Sequence, residues 1–226
     1  MPSPEITNTS FTVSKSAGKV SAILIRPEDA KALLVLAHGA GAGMRQKFNE
    51  AIAQRLAGHG IATFRYQFPY MEQGSKRPDS KLVLYATVRS AVETAVKMAR
   101  DLPLFVGGKS FGGRMTSNAA AEEPLPGVRG IVFFGFPLHP PGKPSIERAA
   151  HLAKVTVPML FFQGTRDEFS ELPLLKPVIK KLGKLVALHI IEGAGHSFHV
   201  LKRSGRTDGD VLEEIAQSVA TWISKT

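Results

Sequence analysis

The chain contains no cysteine among its 226 residues. This absence excludes disulfides, cysteine nucleophiles and thiolate-bound metals, and it is typical of a cytoplasmic protein. No stretch approaches the roughly 18 apolar residues of a membrane-spanning helix. The first ten residues, MPSPEITNTS, lack the basic segment and the apolar core of a secretory signal. We therefore expect a cytoplasmic protein with no membrane partner.

Acidic residues are scarce relative to basic ones. The chain has 19 Asp and Glu against 29 Lys and Arg, which gives a formal net charge of +10 and a pI near 9.9. A basic balance can indicate a nucleic-acid partner. However, the basic residues are spread along the chain, and no recognition-helix, zinc-finger or RNP-like pattern accompanies them. We expect a solvated basic surface and no binding of nucleic acid.

Short apolar runs recur along the chain. The segments SFTVS and KVSAILIRP, separated by Ala17-Gly18, are typical of a β-hairpin. The later runs are continuous rather than alternating, as expected of strands buried on both faces of a parallel sheet. These predicted strands are KALLVLAHG (31–39), IATFRY (61–66), LFVG (104–107), VRGIVFFG (128–135), VPMLFFQG (157–164) and LVALHII (185–191).

Residues with helical spacing follow most of these strands. We predict helices around 48–56, from a cap at Asp79 to Ala99, over 111–122, over 172–182, and from a cap at Asp208 or Asp210 to Ile223. Repeated strand–helix units favour an α/β fold with a mainly parallel sheet and helices on both faces. There is no internal repeat or long linker, so we expect a single domain over residues 1–226.

The stretch LFVGGKSFGGRM contains two overlapping glycine-rich motifs. A phosphate-binding loop, G-x-x-x-x-G-K-[ST], would end at 108–110 but would need its first glycine at the position of Pro103. That interpretation is excluded. The second motif, Gly108-x-Ser110-x-Gly112, is a nucleophile elbow, a strained turn between strand and helix that presents a reactive serine. Glycines two residues to either side leave room for such a turn.

A dinucleotide-binding turn is the other glycine-rich alternative. Gly39 and Gly41 follow a buried strand, but the third glycine of G-x-G-x-x-G falls on Met44. The next strand ends in Arg65 rather than in an acidic ribose ligand, although an arginine would suit a ribose 2′-phosphate. We therefore expect no nucleotide and no other cofactor.

A serine nucleophile needs a base, which an acid orients. In enzymes with a nucleophile elbow, the acid and then the histidine follow the serine along the chain. Asp167 lies directly after VPMLFFQG and His196 follows the last strand, so we predict Ser110, Asp167 and His196 as a catalytic triad. Glu168 is an alternative acid and His199 an alternative base. There is also a purely structural alternative for each residue. Asp167 could cap the next helix, and His196 could be an ordinary loop histidine.

Two backbone N–H groups should stabilise the oxyanion. We predict that of Phe111, after the nucleophile, and that of Ala40, in the loop GAGAG. His38 is expected to orient that loop rather than to take part in catalysis. The pair His196 and His199 resembles a metal pair but lacks a suitably placed third ligand, so we expect no metal.

Two loops, 66–78 and 137–150, are left to shape a substrate pocket. The side chains that we expect to form its walls are Tyr70, Met71, Phe136, Leu138 and His139. Arg45, Lys109 and Arg114 lie beside the predicted site in sequence and would favour an anionic substrate. The alternative is that these three side chains point into solvent or brace loops, and a surface-facing Lys109 is ordinary at that position of an elbow.

Six stretches together resemble small cap-less members of the α/β-hydrolase superfamily related to dienelactone hydrolase. They are similar above all to the testis-expressed and histone-acetyltransferase-complex-associated hydrolase-like proteins and their bacterial relatives. The stretches are LAHGAGAGM, FRYQFPYMEQGSKRPD, GGKSFGGRM, FFGFPLHPPGKP, QGTRDEF and GAGHSF.

The resemblance implies an α/β-hydrolase fold without a large cap domain, with Ser110 as nucleophile, Asp167 as acid and His196 as base. It implies no particular substrate. We expect a carboxylesterase-like serine hydrolase acting on a small ester or related acyl compound. The alternative is a non-catalytic hydrolase-fold protein that serves as a binding or scaffold module.

Overall fold

Eight strands form one sheet in the computed structural model, which describes residues 3–226. The strands are β1 (Glu5–Ser14), β2 (Gly18–Arg26), β3 (Ala32–Ala37), β4 (Ile61–Tyr66), β5 (Leu104–Lys109), β6 (Val128–Phe134), β7 (Met159–Gly164) and β8 (Val186–Ile191). Their order across the sheet is β1-β2-β4-β3-β5-β6-β7-β8. The hairpin strands β1 and β2 are antiparallel to their neighbours, and all pairings from β4 to β8 are parallel. The predicted α/β-hydrolase fold is confirmed, and residues 3–226 add no large cap domain to it.

Helices cover both faces of this sheet. They are α1 (Lys47–Gly58), α2 (Pro69–Glu72), α3 (Lys81–Met98), α4 (Phe111–Glu122), α5 (Leu172–Leu182) and α6 (Asp208–Ile223), with 3₁₀ segments at Glu147–Lys154, Gly183–Leu185 and Lys202–Ser204. One core packs α1 and α6 against the sheet, and the other packs α3, α4 and α5 against the opposite face. None of the helices within residues 3–226 has the length and apolar character needed to span a membrane.

The central strands owe their position to their composition. Every residue of β3, β5 and β7 is buried, as expected of continuous apolar runs covered on both faces. The strand β5 lies between β3 and β6 and continues two residues beyond the predicted LFVG. The serine at 110 therefore follows the middle of the sheet, where the backbone has the least freedom to move.

The predicted helix caps were wrong. The N-cap of α3 is Ser80, whereas the carboxylate of Asp79 accepts a hydrogen bond from the Tyr70 backbone N–H at 2.8 Å. The N-cap of α6 is Thr207, whose hydroxyl accepts from the backbone of Asp210 at 3.1 Å in a capping box. Asp208 instead bonds residues of the preceding loop. Both errors arise because several side chains before a helix can cap it, and only the path of the chain selects one.

The loop predicted over 66–78 is not entirely irregular. It contains the single turn of α2, which begins at Pro69 and ends at Glu72. A proline in the first turn is compatible with a helix because that N–H has no intrahelical partner. The loop predicted over 137–150 passes into a helical segment, the 3₁₀ stretch Glu147–Lys154.

Candidate active site

Three loops meet at the carboxyl edge of the parallel strands. Ser110 follows β5, Asp167 lies three residues after β7, and His196 lies five residues after β8. Parallel strands bring their carboxyl ends to one edge of the sheet, which is where α/β proteins place their ligands. Residues separated by up to 86 positions are thereby in direct contact.

The turn at Ser110 has the geometry of a nucleophile elbow. Its backbone lies at φ 51° and ψ −116°, a conformation that non-glycine residues rarely adopt. A Cβ at Gly108 would lie 2.5 Å from the backbone nitrogen of Gly113, and one at Gly112 would lie 2.4 Å from the His38 carbonyl oxygen. Only glycine fits at these two positions, so the motif reflects the close approach of backbone to backbone.

Ser110, His196 and Asp167 form a continuous chain of hydrogen bonds. The Nε2 atom of His196 lies 2.8 Å from the Ser110 hydroxyl, and its Nδ1 atom lies 2.7 Å from a carboxylate oxygen of Asp167. A carboxylate can only accept a hydrogen bond, so Nδ1 donates to Asp167 and Nε2 is left to accept the serine proton. This is the arrangement that a general base requires.

Glu168 and His199, the alternative acid and base, take no part in these hydrogen bonds. Glu168 is exposed, and His199 bonds Asp208 at 2.9 Å. Within residues 3–226, no three His, Asp or Glu side chains are grouped so that they could hold a metal ion.

Two residues that the sequence did not suggest hold Asp167 in place. The backbone N–H of Phe169 donates to the carboxylate at 2.9 Å, and the side-chain amide of Gln163 donates to the oxygen that faces His196. The ring of Phe169 also packs over the imidazole of His196, with ring centroids 4.3 Å apart. Because Asp167 is only 3% exposed, these bonds replace the water that an ionised carboxylate would otherwise need.

The surroundings of His196 favour its neutral form. Burial lowers the pKa of His196, the bond to Asp167 opposes this effect, and the nearby charge of Lys109 lowers the pKa further. A neutral imidazole is the form that can accept a proton from serine.

The two predicted oxyanion donors lie in different segments. Phe111 is the first residue of α4, where a backbone N–H has no partner within the helix. Ala40 lies in the exposed turn after β3. In that turn the N–H of the next residue, Gly41, donates to the Tyr70 hydroxyl at 3.2 Å, while that of Ala40 has no acceptor among residues 3–226.

His38 fixes the position of this turn. The backbone N–H of Phe68 donates to its Nε2 atom at 3.1 Å, so Nδ1 carries the proton and donates to the Gly39 carbonyl at 2.7 Å. Burial lowers the pKa of His38 to about 4, opposed by the bond to Gly39. The side chain is a neutral link between the turn after β3 and the segment before α2.

Four of the five predicted pocket walls are buried. Tyr70, Phe136, Leu138 and His139 are each no more than 1% exposed, so they support the loops from beneath instead of presenting a surface to a substrate. Tyr70 contacts the turn after β3, and His139 bonds Glu171 at the start of α5. Met71 is half-buried and remains the one wall candidate with accessible surface.

The three basic candidates have different environments. Lys109 does not face solvent, since it is only 6% exposed. It braces the His196 loop, which was one of the alternatives for this side chain. Arg45 donates to the side chain of Asn8 at 3.0 Å. Arg114 is half-buried, and its guanidinium lies 5.9 Å from the ring of Phe111. The pattern of apolar residues in the sequence could not reveal that Lys109 is buried. All six residues of β5 are buried, so this strand has no polar face to set against an apolar one.

A second serine–histidine pair lies close to the first. The Ser117 hydroxyl is 2.7 Å from Nε2 of His151 and 3.1 Å from the Arg114 carbonyl oxygen. Ser117 is completely buried within α4. The neutral ring of His151 bonds the Arg148 backbone, which leaves its Nε2 atom to accept from the Ser117 hydroxyl. Burial lowers the pKa of His151 to about 4, and no carboxylate among residues 3–226 bonds its ring. This pair bonds α4 to the 3₁₀ segment Glu147–Lys154 and lacks the features of a nucleophile.

Comparisons with known proteins agree on the type of domain. The sequence profile of the family described as "Alpha/beta hydrolase domain" matches residues 30–224. Dienelactone hydrolase from Anabaena variabilis superposes with a TM-score of 0.77 at 22% identity, covering 99% of each chain. A Xanthomonas campestris protein described as an α/β serine hydrolase without lid gives a TM-score of 0.74 at 19% identity, covering 98% of this chain and 96% of that one.

The similar curated proteins are longer than this chain. A Mycobacterium tuberculosis protein named "Putative phosphoribosyl transferase" is 26% identical over 212 residues. The match covers 90% of this chain and 43% of that protein, so the chain spans less than half the length of the curated relatives it matches.

The buried histidines predict a loss of stability in mild acid. Below pH 6.5 the unfolded chain binds protons at His38 and His151 that the folded chain does not, because both folded pKa values are lowered to about 4. The free energy of unfolding should therefore fall as the pH decreases from about 6.5 to about 4. The shift of His38 alone corresponds to roughly 3 kcal/mol. Urea denaturation across this range measures the slope, and a flat profile would contradict the assignment of neutral buried imidazoles.

Proposed function

The chain belongs to the alpha/beta hydrolase domain family, and on that premise we propose that it is a serine hydrolase that cleaves carboxylic esters or related acyl compounds. The observation that carries this proposal is the unbroken hydrogen-bond chain from the Ser110 hydroxyl through His196 to Asp167. A serine is a weak nucleophile at its ordinary pKa, and this arrangement supplies both the base and the group that orients the base.

The reaction proceeds in two halves. Ser110 attacks the substrate carbonyl carbon while His196 takes the hydroxyl proton, and the N–H groups of Phe111 and Ala40 stabilise the oxyanion. His196 then returns the proton to the departing alcohol, which leaves an acyl group on Ser110. A water molecule, deprotonated by His196, hydrolyses this acyl-enzyme, and Asp167 stabilises the imidazolium in both halves.

These steps use the chain's own side chains, two of its main-chain N–H groups and water, so the proposal includes no metal or organic cofactor. The transferase name of the longer mycobacterial proteins does not enter it, because the match leaves more than half of those proteins uncovered. The proposed location remains the cytoplasm, in keeping with the absence of cysteine.

A fluorophosphonate probe tests the nucleophile. The probe should label the wild-type protein, and Ser110→Ala should abolish the labelling because the probe bonds to an activated serine oxygen. Ser117→Ala is the matched control, since it removes the other serine that bonds a histidine. Labelling is read by gel fluorescence and by mass spectrometry. If the folded wild-type protein is not labelled at Ser110, the scaffold alternative becomes the better account.

We further propose that the substrate carries a negative charge close to the ester. Arg114 follows Ser110 by one helical turn, with its backbone N–H 3.1 Å from the Ser110 carbonyl oxygen. Its Nε atom is buried without a hydrogen-bond partner, and neither Arg114 nor Arg148 pairs with a carboxylate within residues 3–226. Burial lowers the pKa of Arg114, and the nearby charge of Arg148 lowers it further. An anionic group would relieve this like-charge proximity.

A pair of aryl esters tests this preference. One ester ends in a carboxylate and the other in the corresponding neutral amide, so that they differ in charge but hardly in size. The wild-type kcat/KM should favour the anionic ester by about tenfold, the ratio that corresponds to 1.4 kcal/mol. Arg114→Gln should remove the preference, while Arg45→Gln should retain it. Equal kcat/KM values for the two esters in the wild-type protein would contradict the anionic substrate but not the hydrolase.

A further inference from the structure

Lys109 is a buried ammonium group directly beneath the proposed base. It is the last residue of β5, next to Ser110, and is only 6% exposed. Its Nζ atom donates a hydrogen bond to the backbone carbonyl oxygen of His196 at 2.6 Å. The nucleophile and the residue before it therefore both bond the same histidine, one through the imidazole and the other through the main chain.

The path of the lysine is tightly confined. Its Nζ atom lies 5.6 Å from the ring centroid of Phe48 and 5.2 Å from that of Phe198. The two rings stack on each other 5.6 Å apart. On another side lies Gly135, where an added Cβ would be 3.1 Å from Nζ and 3.4 Å from the His196 carbonyl oxygen. Aromatic faces attract a cation, and the absence of a side chain at Gly135 keeps the approach to His196 open.

This position is costly for a charge. A lysine is almost never fully buried without a partner, yet among residues 3–226 no carboxylate lies within 4 Å of Nζ. Burial lowers the pKa of Lys109 to about 8, while the Asp167 carboxylate raises it, so the group is still largely protonated at neutral pH. An apolar side chain of similar length would fill the same space without the desolvation cost. The presence of a charged side chain at this buried position therefore has to be explained by the groups that it contacts.

Main-chain bonds hold this loop on either side of His196, since the N–H of Gly195 donates to the His199 carbonyl at 3.0 Å and that of Arg166 donates to the Ala194 carbonyl at 2.9 Å. The carbonyl of His196 itself is held by Lys109. Phe198 has a positive φ of 65°, and the N–H of Phe198 donates to the Gly195 carbonyl at 2.9 Å in a tight turn around His196. The imidazole is fixed by Asp167, but the backbone from which it extends is fixed to the central strand by Lys109. Small displacements of a reacting group lower catalytic rates strongly, so the position of this backbone matters for proton transfer.

We propose that Lys109 is a positioning residue, whose buried ammonium group holds the main chain of His196 so that the imidazole stays within hydrogen-bond distance of Ser110. This inference rests on the proposed serine hydrolase function. The charge of Lys109 also acts on the base, together with those of Asp167 and Glu168. Asp167 and Glu168 raise the pKa of His196, and Lys109 lowers it.

The test compares Lys109→Met with wild type, and with Lys184→Met as an exposed control. Methionine keeps the length of the side chain but removes the donor and the charge. On a neutral aryl ester, kcat should fall by about tenfold or more with KM nearly unchanged, because the base is misplaced while the substrate site is intact. The acid limb of the kcat/KM profile should move to higher pH, because the charge that lowered the pKa of His196 is gone. The melting temperature should be unchanged or higher, since a buried charge has been removed.

These outcomes separate positioning from structural support. A merely structural lysine would lower the melting temperature without moving the pH profile. The proposal is wrong if folded Lys109→Met retains the wild-type kcat and acid limb. If that variant does not fold, Lys109→Arg decides: it keeps charge and donor, so its acid limb should match wild type, and a shifted limb would overturn the proposal. Failure of the hydrolase function itself is distinguishable, because wild-type Ser110 would then not react with the fluorophosphonate probe.

Discussion

The contact of backbone with backbone at the turn around Ser110 is the constraint on which the site depends. There β5, α4 and the turn after β3 come so close that a Cβ at Gly108 or Gly112 would overlap main-chain atoms at 2.4 to 2.8 Å. The serine consequently adopts a backbone conformation that costs of order 1–3 kcal/mol and persists only where the surroundings enforce it. The central strand β5, which is buried on both faces, holds the serine in this conformation.

Close contact between backbone segments also occurs in the loops that carry Asp167 and His196. A Cβ at Gly164, the last residue of β7, would lie 2.2 Å from the Ala194 carbonyl oxygen, so the loops that carry Asp167 and His196 pack backbone against backbone. Gly135, after β6, lies against both Lys109 and His196. Main-chain contacts therefore set the spacing of the three proposed catalytic residues, and side-chain bonds complete it.

The sequence alone predicted the features that depend on order and periodicity. Strand–helix alternation indicated the parallel sheet, and the order of Ser110, Asp167 and His196, each after a strand of its own, indicated which residues would meet. It did not predict features that depend on the direction of a side chain in three dimensions. Lys109 points beneath a loop 87 residues away, and Phe136 turns into the core although it lies in a loop. No local pattern distinguishes such a residue from one that faces a substrate.

The central claim is that Ser110 carries the acyl group between the two halves of the reaction. Rapid acid quenching of the protein during turnover of an activated aryl ester, followed by peptide mass spectrometry, measures this directly. The account predicts an acyl adduct on Ser110 that forms in the first turnover and disappears as the ester is consumed. An adduct confined to another residue, or undiminished turnover by folded Ser110→Ala, would contradict it.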